Sequence, residues 1–165
     1  MAYNPKIHHR KSIRLKGYDY AQEGSYFITI CCAGRRHLFG HIENGVMVHN
    51  IYGDIAREGI ELIPERYTRL TIDEFQIMPN HLHFIVTLGE NCPLIALGEV
   101  IGSFKSLVHQ ECLNHAKEQI PEQYLGKFWQ VNYYEHIIRN ERSYNHIANY
   151  IIENPQNWKN DTFFC

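Results

Sequence analysis

The stretch Met78-Pro79-Asn80-His81-Leu82-His83-Phe84-Ile85-Val86 carries the strongest structural signal in the chain. From His81 onward it is apolar and β-branched, which predicts a strand over residues 81–88, and Pro79-Asn80 predicts a break before it. Residues i and i+2 of a strand point to the same face. His81 and His83 therefore present two imidazoles side by side, and Leu82 is directed into the core.

The patterns on either side of this strand predict an α+β domain. Further strands are predicted over residues 26–32 and 70–78, with a strand or extended segment over 129–138. Asn44-Gly45 between two apolar runs predicts a hairpin over 38–49. Helical spacing predicts helices over 51–63, 94–116 and 140–153, the first closed by Pro64 and the last capped by Asn140. Without the hairpin, this order indicates a ferredoxin-like antiparallel sheet with helices packed on it, plus a C-terminal helix.

The composition predicts one compact domain. The chain has 165 residues, of which 44% are hydrophobic, and this is enough to build a single core. We divide it into a basic N-terminal arm, residues 1–20, and a domain, residues 21–160. No apolar run approaches the ~18 residues that span a bilayer, and no signal-peptide segment is present, so we expect a cytoplasmic protein without a membrane partner. The five cysteines form no CxxC pair, which favours buried free thiols.

The charge is distributed unevenly. The net charge is −2, yet the first sixteen residues contain no acidic side chain. The basic residues in this arm are Lys6, Arg10, Lys11, Arg14 and Lys16. A basic arm on an acidic body can contact phosphates locally. A solvated, disordered terminus is the alternative, and the sequence leaves both open.

The histidine pair is a candidate metal site. Two neighbouring imidazoles can share one divalent ion, but two ligands seldom suffice, so a third must come from elsewhere. The alternative is a pair of surface histidines on a strand edge.

The last predicted helix offers two further groups. Tyr150 and Asn154 are four residues apart and so share a helix face. Asn154 supplies a neutral oxygen ligand, and Tyr150 supplies a phenol that can act as a nucleophile toward a polarised phosphate. The alternative is that Tyr150 is a core aromatic and that Asn154 caps the helix before Pro155.

Taken with other segments, the histidine strand resembles the single-tyrosine transposases of the HUH superfamily, and within them the REP-associated tyrosine transposases. The other matching segments are Arg14-Leu15-Lys16-Gly17-Tyr18-Asp19-Tyr20, Ser103-Phe104-Lys105-Ser106, residues 128–140 and Tyr150-Ile151-Ile152-Glu153-Asn154-Pro155. The resemblance covers residues 10 to 158. Replication initiators and relaxases use a similar histidine pair and tyrosine but place them differently along the chain.

The resemblance implies a DNA strand-transfer enzyme. It implies that His81, His83 and Asn154 hold Mg²⁺ or Mn²⁺ and that Tyr150 attacks a DNA phosphate. The products are then a 5′-phosphotyrosine link and a free 3′-OH, on single-stranded or hairpin DNA. Imidazoles alone favour Zn²⁺ or another transition ion over Mg²⁺, so Mn²⁺ satisfies both arguments. A monomer and a homodimer both occur in the family, and the sequence leaves that choice open.

Several assignments keep alternatives. Tyr144, Tyr133 and Tyr134 compete with Tyr150 for the nucleophile. The candidate DNA contacts are Arg10, Lys11, Arg14, Lys16, Lys105 and Arg139. Trp129 is interpreted as a core anchor rather than a base-stacking residue. A non-catalytic nucleic-acid-binding module of ferredoxin-like fold is the alternative to an enzyme.

Overall fold

A computed structural model describes Leu15 and residues 17–90, 96–119 and 126–165. The predicted DNA contacts Arg10, Lys11, Arg14 and Lys16 lie outside the described residues. The strands are β1 (Gly24–Cys31), β2 (Gly40–Glu43), β3 (Val46–His49), β4 (Leu70–Ile77), β5 (His81–Leu88) and β6 (Tyr134–Ile138). The helices are α1 (Ile51–Glu61), α2 (Ile63–Arg66), α3 (Leu97–Gln119) and α4 (Glu141–Glu153).

Four of the strands form one antiparallel sheet in the order β4-β5-β1-β6. The remaining two, β2 and β3, form a separate hairpin. Without that hairpin, the chain runs β1-α1-β4-β5-α3-β6, and β5 returns between β1 and β4. This is the ferredoxin-like arrangement that the sequence predicts, and it is confirmed.

Strand β5 lies in the interior of the sheet, so its two faces meet different partners. Leu82, together with Phe84 and Val86, belongs to the large core formed with helices α1 and α3. Ile85 points the other way and packs against Ile147 and Ile151 of α4. Because side chains alternate along a strand, the histidines share the face of Ile85 and lie toward α4.

The hairpin turn is of the expected kind. Asn44 and Gly45 both have positive φ angles, 51° and 76°. Two successive left-handed residues suit the twist of a two-residue hairpin, and asparagine and glycine adopt this conformation at low cost.

Two local predictions are corrected. Pro64 does not end the helical region predicted over residues 51–63, because a second helix, α2, begins at Ile63. Pro64 lies in the first turn of α2, where its missing N–H would have no partner within the helix anyway. The segment before β6 is extended, but it forms only an isolated bridge between Trp129 and Cys32, so the regular strand starts at Tyr134. Trp129 is 7% exposed, which confirms it as a core anchor.

Among the described residues the cysteines are free thiols, and Cys31, Cys32 and Cys112 are buried as predicted. Cys165 is exposed, so the prediction of a buried thiol is wrong there. Within the ranges given above, no helix is both long and apolar enough to cross a membrane.

Candidate active site

His81 and His83 lie at the start of β5 and face each other. Their Nε2 atoms are 2.9 Å apart. The side chains are 0% and 1% exposed, because α4 and the C-terminal residues cover this face of the sheet. The alternative of two surface histidines is therefore wrong.

Each imidazole is oriented by a hydrogen bond to its other ring nitrogen. The Asn80 amide nitrogen donates to the Phe163 carbonyl at 2.9 Å, so the amide oxygen faces His81 Nδ1, at 2.8 Å. His81 Nδ1 therefore carries the hydrogen, and its Nε2 presents a lone pair toward His83. Thr29 Oγ1 lies 2.8 Å from His83 Nδ1.

Burial keeps both imidazoles neutral. Removal from water lowers the pKa of His81 to about 4 and lowers the pKa of His83 well below its ordinary value. A positive charge on His81 would further disfavour the protonation of His83, which lowers the pKa of His83 in addition to burial. A neutral imidazole is the form that binds a metal ion.

Tyr150 on α4 places its hydroxyl next to this pair. The oxygen is 3.3 Å from His83 Nε2 and donates to Asp161 Oδ2 at 3.0 Å. The residue is 38% exposed, so an incoming molecule can reach it. Burial, followed by the Asp161 carboxylate, raises the pKa of this phenol above its ordinary value.

The competing tyrosines lie elsewhere. Tyr144 hydrogen-bonds to Asp73 on β4, and burial together with this contact raises its pKa to about 12. Tyr133 is buried in the large core, and Tyr134 is half exposed on the edge strand β6.

Asn154 completes a polar cluster just after α4. Its side chain is 2% exposed, and its amide nitrogen donates to Asp161 Oδ2 at 2.8 Å. Its amide oxygen is buried and has no hydrogen-bond partner among the described residues. A buried acceptor of this kind is costly unless something with positive charge or a hydrogen meets it. Two neutral imidazoles with facing Nε2 atoms, beside one unpartnered amide oxygen, therefore fit a divalent cation that takes the place of the hydrogen between them.

Asp161 is the site residue that sequence reasoning missed. Its carboxylate and the ring nitrogens of His81 and His83 lie within 4.8 Å of one another. Asp161 follows a short 3-10 helix, Trp158–Asn160. It therefore lies one residue beyond the predicted end of the domain at residue 160. The aromatic residues on either side of Asp161 were the sequence signal that this segment packs onto the domain, because the rings of Trp158 and Phe163 lie against His81.

Lys105 lies at a groove between α3 and the segment before β6. Its ammonium donates to the carbonyls of Gln130 and Val131 at 2.7 and 3.1 Å. The groove has a volume of about 370 Å³, and Lys127 and His109 also line it. Arg139, the other candidate DNA contact in the described residues, is exposed just after β6.

Comparison with known proteins gives a consistent result. Residues 23–154 match the family model described as IS200-like transposase. An uncharacterised protein from Haemophilus influenzae is 41% identical, over 98% of this chain and 97% of its own length. The fold is similar to a solved structure of a REP-associated tyrosine transposase bound to a REP hairpin, with a TM-score of 0.64, 22% identity and coverage of 88% and 73%. A crystal structure from Deinococcus radiodurans R1 gives a TM-score of 0.53 at 15% identity, over 86% of this chain and 98% of that one.

Proposed function

This chain belongs to the IS200-like transposase family, and from that premise we propose that it cleaves and rejoins single-stranded DNA through a covalent link to Tyr150. The observation that carries the proposal is the contact between the Tyr150 hydroxyl and His83 Nε2, at 3.3 Å, beside a second imidazole. It joins a candidate nucleophile to a candidate metal site within one chain.

His81, His83 and Asn154 would hold the metal ion, through two ring nitrogens and one amide oxygen. A divalent cation at this position supplies Lewis-acid polarisation of a DNA phosphate. Imidazole and oxygen donors together suit Mn²⁺ better than Mg²⁺.

The reaction assigned to Tyr150 is a phosphoryl transfer. Its hydroxyl oxygen forms a bond to phosphorus, and the bond from phosphorus to the 3′ oxygen breaks. The tyrosine proton leaves toward Asp161 Oδ2, which already accepts the hydroxyl hydrogen bond at 3.0 Å. The departing 3′ oxygen takes up a proton and becomes a 3′-OH, so the step neither consumes nor releases protons overall. Attack by a 3′-OH reverses the step and joins strands.

The DNA is held, in this proposal, by basic side chains of the groove at Lys105 and by Arg139. Lys105, with Lys127 in the same groove, and Arg139 would contact phosphates or bases. Arg10, Lys11, Arg14 and Lys16, which lie outside the described residues, are proposed as further DNA contacts because the sequence around them is basic. A folded hairpin is the substrate we favour, because the similar solved transposase is bound to a REP hairpin.

We further propose that one copy of the chain forms a complete site. Tyr150 lies beside the histidines of its own chain, so no residue from a partner is needed to bring nucleophile and metal ligands together.

The proposal is tested with single-stranded hairpin DNA labelled at its 3′ end. Wild-type protein with Mn²⁺ should retain the label on a denaturing protein gel, and EDTA should abolish the adduct. Tyr150→Phe should form no adduct, whereas the matched variant Tyr144→Phe should form it normally. An adduct with Tyr150→Phe would reject the assignment of the nucleophile. DNA binding without any adduct, with or without metal, would favour a non-catalytic binding module.

A further inference from the structure

The C-terminal residues 158–165 lie against the histidine pair and are held there by several independent contacts. The Trp158 ring is 7% exposed and lies 5.9 Å from the His81 ring. The Phe163 ring lies 4.8 Å from the His81 ring, and the Phe163 carbonyl accepts from the buried Asn80 amide. These anchors on both sides of Asp161 fix its position relative to the imidazoles.

The Asp161 carboxylate is aimed into the site. Its Oδ2 accepts hydrogen bonds from Asn154 Nδ2 at 2.8 Å and from the Tyr150 hydroxyl at 3.0 Å. The Phe163 backbone N–H donates to Oδ1 and so restrains the plane of the carboxylate. Its ligand atom lies within 4.8 Å of the ring nitrogens of His81 and His83. Atoms at such separations can share one ion after small side-chain movements, since metal-to-ligand distances are about 2.0–2.2 Å.

The charge of the cluster favours the same conclusion. His81 and His83 are neutral, and Asn154 is an amide, so these three groups bring no formal charge to a divalent ion. Asp161 supplies a full negative charge on a hard oxygen, the type of ligand that Mn²⁺ and Mg²⁺ prefer.

We propose that Asp161 is a metal ligand and that the C-terminal residues 158–165 are an integral part of the metal site. This inference rests on the proposed function, because it concerns the same ion. Asn154 would then have two roles, because its unpartnered oxygen would be available to the ion while its nitrogen orients the carboxylate of Asp161. The carboxylate also accepts the hydrogen bond of the Tyr150 hydroxyl, so Tyr150 would lie one hydrogen bond from a metal ligand.

The test measures Mn²⁺ binding to the full chain by calorimetry and electron paramagnetic resonance, without DNA or turnover. Asp161→Asn keeps the shape of the side chain and removes its charge. We expect it to weaken Mn²⁺ binding at least as much as loss of an orienting partner does, about 10- to 100-fold. Asp161→Glu keeps the carboxylate and should retain more affinity than Asp161→Asn. The matched control Glu153→Gln removes an exposed carboxylate from the end of α4 and should bind as the wild type does.

The outcomes separate this inference from the proposed function. If Asp161→Asn binds Mn²⁺ as the wild type does while His81→Ala does not, the histidine site stands and the role of Asp161 is wrong. Increased adduct formation by Asp161→Asn at unchanged Mn²⁺ affinity would also overturn it, because the carboxylate would then only restrain Tyr150. If wild-type protein binds no Mn²⁺, both proposals fail. Thermal unfolding of each variant establishes that any loss is measured on folded protein.

Discussion

The hydrogen bond between Thr29 and His83 gives the clearest test of how the protein prepares its histidines. Thr29 is 3% exposed, and its hydroxyl lies 2.8 Å from His83 Nδ1. Thr29→Val keeps the branched shape and removes the partner of a buried ring nitrogen. Leaving such a group unsatisfied costs about 1–3 kcal/mol in free energy of unfolding. For a chain of this size, each kcal/mol lowers Tm by about 2–4 °C, so we expect a fall of about 2–12 °C.

The same substitution should weaken metal binding. An imidazole without its orienting partner loses about 10- to 100-fold in metal affinity, which corresponds to roughly 1.4–2.8 kcal/mol. Calorimetric titration with Mn²⁺ and thermal unfolding of the metal-free protein measure the two effects separately. Thr71→Val is the matched control, because Thr71 is exposed on β4 and its hydroxyl donates to an exposed carboxylate, that of Asp73. The reasoning is refuted if Thr29→Val unfolds at the wild-type temperature and binds Mn²⁺ with wild-type affinity.

Two further predictions concern pH and the basic groove. Burial lowers the pKa of His81 to about 4, so between that pH and about 6.5 the unfolded chain binds more protons than the folded one. The free energy of unfolding of the metal-free protein should therefore fall as pH falls through this range, and His81→Gln should flatten the dependence in urea titrations; an unchanged slope would contradict this. Lys105→Met removes donors from two backbone carbonyls and should lower the free energy of unfolding by about 1–3 kcal/mol. Lys127 is an exposed residue of the same groove, so Lys127→Met should weaken hairpin binding and leave the free energy of unfolding unchanged. A variant that unfolds more easily but binds the hairpin as the wild type does would exclude the groove as a DNA contact.

The strand that carries the histidines, and the face on which they lie, could be predicted because both depend on local sequence. Alternation from His81 to Leu88 assigned Leu82 to the core and both imidazoles to the opposite face, and the structure agrees. The family prediction is likewise confirmed, by the match over residues 23–154. The failure at Pro64 has a local cause, because a proline that ends one helix is equally acceptable in the first turn of the next.

Asp161 could not be predicted in the same way. It lies on no periodic element, and a lone carboxylate near a chain end is usually solvated. Its position depends on tertiary contacts such as the hydrogen bond from Asn80 to Phe163, which joins residues 83 positions apart. Asn80 illustrates the same limit, because its sequence context indicates only a strand break, whereas its side chain orients His81.

Identification of the residue that becomes covalently linked to DNA decides whether Tyr150 is the nucleophile. The adduct formed with hairpin DNA and Mn²⁺ is digested with nuclease and trypsin, and the peptides are sequenced by tandem mass spectrometry. The tryptic peptide over residues 143–159 contains both Tyr144 and Tyr150, so fragmentation within it distinguishes them. We expect a 5′-phosphonucleotide on Tyr150. A nucleotide on Tyr144 or on either tyrosine of the Tyr133-Tyr134 pair would contradict it.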